Sequence, residues 1–326
     1  MYSGVALAHV THFLSVIFLC KIVQDLAPSN GTLPLLAALL HVIAPAGIFL
    51  SSPYAESLFS CLSMLGFWLY LKSRSSALVQ SSTFKLLAGV VLGLATGVRS
   101  NGMLAGILFL LDLLDCFQSV LHGRPLSLAI VQAGVVVVSG LCVAAGFLIP
   151  QVSAYREYCI ASSSSRPWCD SRVPSIYSFV QAHYWYGYKP YSLRHFANLD
   201  RNVGFLRYWK FSNIPLFIVA SPCLLLLIKS SLDVLLSTEV EYLKQFREIR
   251  RTEAQRFAIL QLVLACLAIT NYHVQIITRL SSAYPWMYVW LARQIGRSQY
   301  GRRGVVTFVL YAIIQAGLYA SFLPPA

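Results

Sequence analysis

The chain is built around apolar runs near the length of a bilayer crossing, separated by short polar segments. A transmembrane helix needs about 20 consecutive, mostly apolar residues. Such runs fall near 4–24, 33–50, 54–71, 84–98, 102–118, 127–150, 213–233, 255–274, 281–295 and 304–322. Only 11% of the 326 residues are charged, against about 25% in soluble domains. Mean hydropathy is +0.65. The expected fold is an all-α integral membrane protein, a multi-span helical bundle of about 8–11 spans. It reads as a single multi-pass membrane domain over 1–326, with a large loop at 151–212 between spans and a basic loop at 234–254. No apolar h-region with a small-residue cleavage site is visible, so no signal peptide is subtracted.

Charge orients the spans. The net charge is +13, but the basic residues fall mostly in short loops, which is the pattern of insertion bias rather than of nucleic-acid binding. Lys72, Arg74 and Lys85 form one cluster, Lys244, Arg247, Arg250 and Arg251 a second, and Arg293, Arg297, Arg302 and Arg303 a third. With ten spans all three lie on one side, expected to be cytoplasmic. The opposite, luminal side receives "SSPYAES", "VRSNG", the 151–212 loop and "NYHVQIITR". The Asn30-Gly31-Thr32 sequon falls on the cytoplasmic side and is expected to be unmodified. A transporter site lies near the midplane between repeats, and no internal repeat is visible.

The 151–212 loop is rich in aromatics, among them Tyr155, Tyr158, Trp168, Tyr177, Tyr184, Trp185, Tyr186, Tyr188, Tyr191, Tyr208 and Trp209. Such rings form interfacial belts. They also suit a lid that stacks on a sugar or a lipid, with an apolar body and a polar tip. Cys159 and Cys169 lie within the loop on the oxidising side, and a disulfide between them is expected. The other six cysteines sit in or beside spans, as small hydrophobes.

Polar residues inside apolar runs mark function by default. Arg99 and Asn101 interrupt the run at "RSNG", which reads either as a surface turn or as a phosphate site at a helix start. Glu56 follows Pro53 and reads either as a helix-start carboxylate or as a site carboxylate. His273, Gln275 and Arg279 cluster in "NYHVQIITR", with Gln275 and Arg279 on one helical face. His9 and His12 lack acidic or cysteine partners, and no zinc, Walker or nucleophile-elbow pattern occurs. No metal and no cofactor are expected. An arginine-bearing luminal cavity suits an amphiphile with an anionic head, such as a polyprenyl-phosphate sugar or a phospholipid.

Together "SPYAESLFS", "LATGVRSNG", "PWC…VPSIYSFVQ", "NVGFLRYW…NIPLFIVASP" and "HVQIITR" resemble the GPI mannosyltransferase II family, PIG-V, from about residue 35 to the C-terminus. That resemblance implies a multi-pass endoplasmic-reticulum glycosyltransferase of the GT-C type. It implies transfer of the second mannose, in α-1,6 linkage, on the luminal face. The donor would be dolichyl-phosphate-mannose, a co-substrate, and the acceptor a mannosyl-glucosaminyl-phosphatidylinositol. It also implies an inverting displacement with an Asp base, Arg99 or Arg279 on the leaving phosphate, and Trp168 and Tyr177 among the rings holding sugars. A partner membrane subunit is compatible with it, and no nucleic acid is. The family carries a Trp-Asp pair in a first luminal loop, ahead of the region that aligns with Met1, and no such pair occurs here. The nearest match is "WCD" at Trp168–Asp170. The base is therefore expected in an N-terminal loop absent from this chain, which makes it either a truncated form or an inactive relative, with Glu56 and Asp170 the weaker candidates within it. Three other readings compete: another dolichyl-phosphate-sugar transferase, a lipid-linked-substrate transporter and a non-catalytic scaffold.

Overall fold

The computed structural model describes residues 2–123, 125–161, 166–181, 204–246, 249–295 and 297–321. Among them the chain is all-helical, as expected from its apolar runs. The helices are α1 Tyr2–Leu26, α2 Leu33–Val42, α3 Ile48–Ser51, α4 Ala55–Ser75, α5 Leu78–Val98, α6 Gly106–Leu121 and α7 Leu126–Tyr155. There follow α8 Ile176–Val180, α9 Ile214–Leu235, α10 Glu239–Phe246, α11 Arg251–Thr270, α12 Ile276–Leu280, α13 Pro285–Gln294 and α14 Gln299–Ser321. Short 3-10 turns precede α6, α9 and α13, and a π-turn at Arg156–Ile160 extends α7.

Six segments are long and apolar enough to cross a membrane: Tyr2–Leu26, Leu78–Val98, Ser100–Leu121, Leu126–Ile160, Phe211–Leu235 and Arg251–Thr270. Four of the ten apolar runs fall outside this set: 54–71 and 304–322 form the single helices α4 and α14, and the other two are not single crossings. The 33–50 run breaks after Val42, where Pro45 supplies no N–H and Gly47 adopts φ +35°. The 281–295 run contains a ten-residue helix, α13, every residue of which is buried. Its apolarity reflects burial within the bundle, as expected for a run of about 10–14 residues. The π-turn carries α7 ten residues beyond the boundary read at 150, into the segment read as loop.

The bundle closes through small residues and buried ion pairs. On α5, Gly89 and Gly93 face α7. A Cβ on Gly89 would lie 2.6 Å from the Ser139 carbonyl oxygen, and one on Gly93 would strike that of Cys142. Close backbone approach at small residues is a standard means of packing helices in lipid. At the far end, Asp112 of α6 accepts hydrogen bonds from Tyr70 of α4 at 2.9 Å and Arg256 of α11 at 2.8 Å, and pairs with Lys85 of α5 at 2.7 Å. Asp25 and Lys72 pair at 2.8 Å at that same end, where Arg250 N–H also donates to the Leu26 carbonyl at 3.0 Å.

Candidate functional site

The "RSNG" segment lies at the other end of α5. The Arg99 N–H still donates to Ala95 at 2.9 Å, so the helix runs into the turn before Arg99 becomes extended, with φ −145° and ψ 127°. Ser100–Ala105 then coil as a 3-10 turn, closed by Gly102 N–H to the Arg99 carbonyl at 2.9 Å. Gly102 packs on the backbone of Thr96, where a Cβ would sit 2.7 Å from the Thr96 Cα. The segment thus folds back on α5, and the Arg99 side chain is held against Glu56.

Glu56 occupies the first turn of α4 and is 1% exposed. No side chain caps that helix. Its Oε1 instead accepts hydrogen bonds from Arg99 and, at 2.6 Å, from Nε of Arg279. Its Oε2 has no hydrogen-bond partner among the described residues. The Arg279 guanidinium lies 4.5 Å over the ring of Phe49 and 5.7 Å from that of Tyr54, within cation–π range. Two cations share one carboxylate, so the triad keeps one net positive charge. Burial pushes the Arg99 pKa down, Glu56 pushes it up, and the Arg279 charge pushes it down; a guanidinium remains protonated throughout.

Arg99 opens onto a cavity of 370 Å³ that it lines together with Asn101, Tyr177, Gln181, Tyr272 and His273. Tyr177 is carried by α8, which rests on α7. Gln151 Oε1 accepts from the Tyr177 N–H at 3.1 Å and from the Ser175 hydroxyl at 3.0 Å, and the Tyr177 ring meets Phe147 at 5.4 Å. The facing wall is Asn271, Tyr272, His273 and Ile276, at and beyond the end of α11, along which a strap of chain at 204–213 is laid. Gly204 and Leu206 N–H donate to the carbonyls of Asn271 and Thr270 at 3.2 and 2.6 Å, and the Tyr208 ring lies 4.8 Å from His273. A fixed cation, amide groups and rings around a hollow can hold a phosphorylated sugar. Among the described residues, no carboxylate lines this cavity.

The profile of the family described as "Mannosyltransferase (PIG-V)" matches residues 1–326. The chain belongs to this family. It is 39% identical to the GPI mannosyltransferase 2 of Gibberella zeae, over 99% of this chain and 74% of the relative. It is 40% identical to that of Chaetomium globosum, over 99% and 70%. With that of Aspergillus fumigatus the identity is 43%, over 90% and 68%. No solved structure matches.

In this glycosyltransferase the residues singled out in the sequence are sorted by depth. Arg99, Asn101, His273 and Tyr177 share the cavity. Arg279, equal to Arg99 as a phosphate ligand in the sequence reading, stands behind it on Glu56 and does not line the hollow. Gln275 precedes α12 and is likewise outside the lining. Trp168, 5% exposed, belongs to a separate hollow of 330 Å³ with Tyr158, Arg166 and Phe179. Asp170 is exposed on the turn beyond Cys169, away from the cavity. Cys159 and Cys169 form a disulfide, with Cα atoms 5.6 Å apart. Tyr184, Trp185, Tyr186, Tyr188 and Tyr191 lie outside the described residues. Sequence reasoning missed Tyr272 and Gln181 as lining residues; both stand inside or beside quoted motifs. It also passed over Asp112 and Asp115, although paired acids within an apolar run are a signal in themselves.

Proposed function

We propose that this chain transfers the second mannose of the glycosylphosphatidylinositol core, in α-1,6 linkage, from dolichyl-phosphate-mannose to mannosyl-glucosaminyl-phosphatidylinositol on the luminal face of the endoplasmic reticulum. Membership of the mannosyltransferase family and the names of the relatives support the reaction. The single structural observation that carries the proposal is Arg99, lining the cavity while anchored to the buried Glu56. As the glycosidic bond breaks, the leaving phosphate gains charge, and a fixed guanidinium facing it stabilises the transition state. Glu56 holds that guanidinium in place, and Arg279 balances Glu56 from behind. Asn101, His273 and Tyr177 offer hydrogen bonds and a ring face to the sugars. The base that takes the acceptor hydroxyl proton is not among the described lining residues; Glu56 is committed to two arginines and Asp170 lies elsewhere.

The test is mannose transfer from labelled dolichyl-phosphate-mannose to the monomannosylated acceptor, in membranes of cells lacking the second mannosyltransferase and supplied with this chain extended through any upstream loop. Arg99→Lys keeps the charge but loses the planar fork. Losing one preorganised donor costs about 10²–10³-fold in kcat, and a fall of that order at unchanged protein level is expected. Undiminished transfer by the Lys variant would reduce "RSNG" to a turn.

A further inference from the structure

At the end of the bundle opposite Arg99 lies a second, larger cavity, of 630 Å³. It is walled by the last turn of α4, the start of α5, the second half of α6 and Gln132 of α7. Its polar groups are layered. Ser73, Ser76, Ser81, Ser82 and Ser119 line it, and each hydroxyl donates to a main-chain carbonyl, at 2.7, 2.7, 2.5, 3.1 and 2.7 Å respectively. With its proton so used, a serine oxygen offers a ligand only acceptor lone pairs. The Asp115 carboxylate, 48% exposed, is already paired through Oδ2 with Arg256 and, at 3.4 Å, with Arg74, and its Oδ1 adds another acceptor. The cations are Arg74, 22% exposed and paired with Asp112, Asp115 and Glu253 at 3.2, 3.4 and 3.3 Å, and Lys85, 14% exposed and paired with Asp112 at 2.7 Å. Lys85 lies seven positions along α5 from its start at Leu78, roughly 10 Å inward at 1.5 Å per residue. Asp112, its partner, is likewise seven positions deeper on α6 than Ser119.

Ion pairs therefore stand at both depths, Lys85 with Asp112 within and Arg74 with Asp115 nearer the end of α4, and the serine oxygens together with Asp115 Oδ1 leave the mouth rich in acceptors. The lining cations Arg74 and Lys85 balance the lining anions Asp112 and Asp115. A bare anion would meet the acceptor-rich mouth, and a bare cation would meet Lys85 within. A zwitterion with phosphate inward and a donating cation outward meets a matching group at each depth. A phospholipid in the leaflet at that end presents its phosphate and amine in that order. Apolar side chains beside the mouth are exposed on the same helices, with Val79 at 80%, Phe117 at 65% and Val131 at 61%, a surface along which acyl chains can lie. Pockets between transmembrane helices are known hosts of lipid headgroups. We propose that this cavity binds a phospholipid headgroup carrying a phosphate and a primary ammonium, the phosphate against Lys85 and Arg74 and the ammonium among Asp115, Ser82 and Ser119.

The experiment is native mass spectrometry of the full chain, released from vesicles of equal phosphatidylethanolamine, phosphatidylcholine and phosphatidylinositol. Choline offers no N–H donor, so ethanolamine lipid should be retained about tenfold over choline lipid, the ratio expected for one charge-assisted hydrogen bond. Asp115→Asn should bring that ratio close to one. The double variant Ser82→Ala with Ser119→Ala should lower it while leaving the Asp112–Arg256 pairing intact, and so decides the matter if Asp115→Asn fails to fold. Equal retention of ethanolamine and choline lipids by the unaltered chain would overturn the proposal. So would preferential retention of the inositol lipid, or an unchanged ratio in a folded variant. Binding of soluble phosphorylethanolamine as tightly as of the lipid would overturn the assignment to a lipid.

Discussion

Glu56 is the residue on which the Arg99 site turns. Removing either arginine leaves a one-to-one pair, whereas removing the carboxylate leaves two buried cations facing each other. Breaking a buried ion pair from one side costs about 3–5 kcal/mol. Glu56→Gln should therefore melt earlier in detergent than Arg279→Gln, by a loss of stability in that range. Equal melting of the two variants would contradict the shared-carboxylate arrangement. This is also where sequence reasoning reached its limit. The two roles open to Glu56 differ only by what lies opposite its side chain, and Arg279, which decides between them, is 223 positions away. Arg99 and Asn101 were legible because two polar residues inside an apolar run are costly unless used. Trp168 and Tyr177 were legible as loop aromatics, but their separation into two hollows depends on where α8, a five-residue helix capped by Ser175, rests on α7, and its cap signals the helix start and not its docking.

Among the elements, the contact of α5 with α7 has the least tolerance. Gly93 meets the Cys142 carbonyl, and on α7 a Cβ at Gly146 would strike the Gly93 carbonyl in turn. Overpacking a close contact costs typically about 1–3 kcal/mol. Gly93→Val should lower thermal stability by at least that order, while Gly134→Val, on α7 with open space around it, should change little. Melting in detergent, followed by tryptophan fluorescence, separates the two. Apolar runs are local and additive, so most helices could be read from composition. Broken and fully buried helices were misread as spans because hydropathy averages over a window. It smooths across Pro45 and Gly47, and it does not distinguish lipid from protein around α13.

For the whole molecule, the two charged centres lie at opposite ends of the bundle, and the disulfide belongs to the Arg99 end. The proposed luminal orientation of that end has a direct test. Asp170→Asn combined with Arg172→Thr creates a glycosylation sequon on the exposed turn after Cys169. That sequon should be modified in cells, and the native one at Asn30 should not. Modification of Asn30 alone would reverse the orientation. Mass spectrometry of unreduced peptides should recover residues 159 and 169 as one cross-linked species, and independent alkylation of both thiols would place the turn in a reducing compartment.

The glycine contact has a mechanical consequence for the cavity. Arg99 ends α5, Tyr177 rides on α7 through Gln151 and Phe147, and α5 and α7 are locked backbone to backbone. Cation and aromatic cover thus travel as one jaw. His273 and Tyr272 stand on the other jaw, at the end of α11, strapped by the 204–213 segment through main-chain hydrogen bonds. Glu56 ties the first jaw to Arg279 of α12, which follows His273 on the second, so the gap is spanned by one carboxylate. The Gly204 and Leu206 amides, which donate to Asn271 and Thr270, should exchange hydrogen more slowly once a donor lipid fills it.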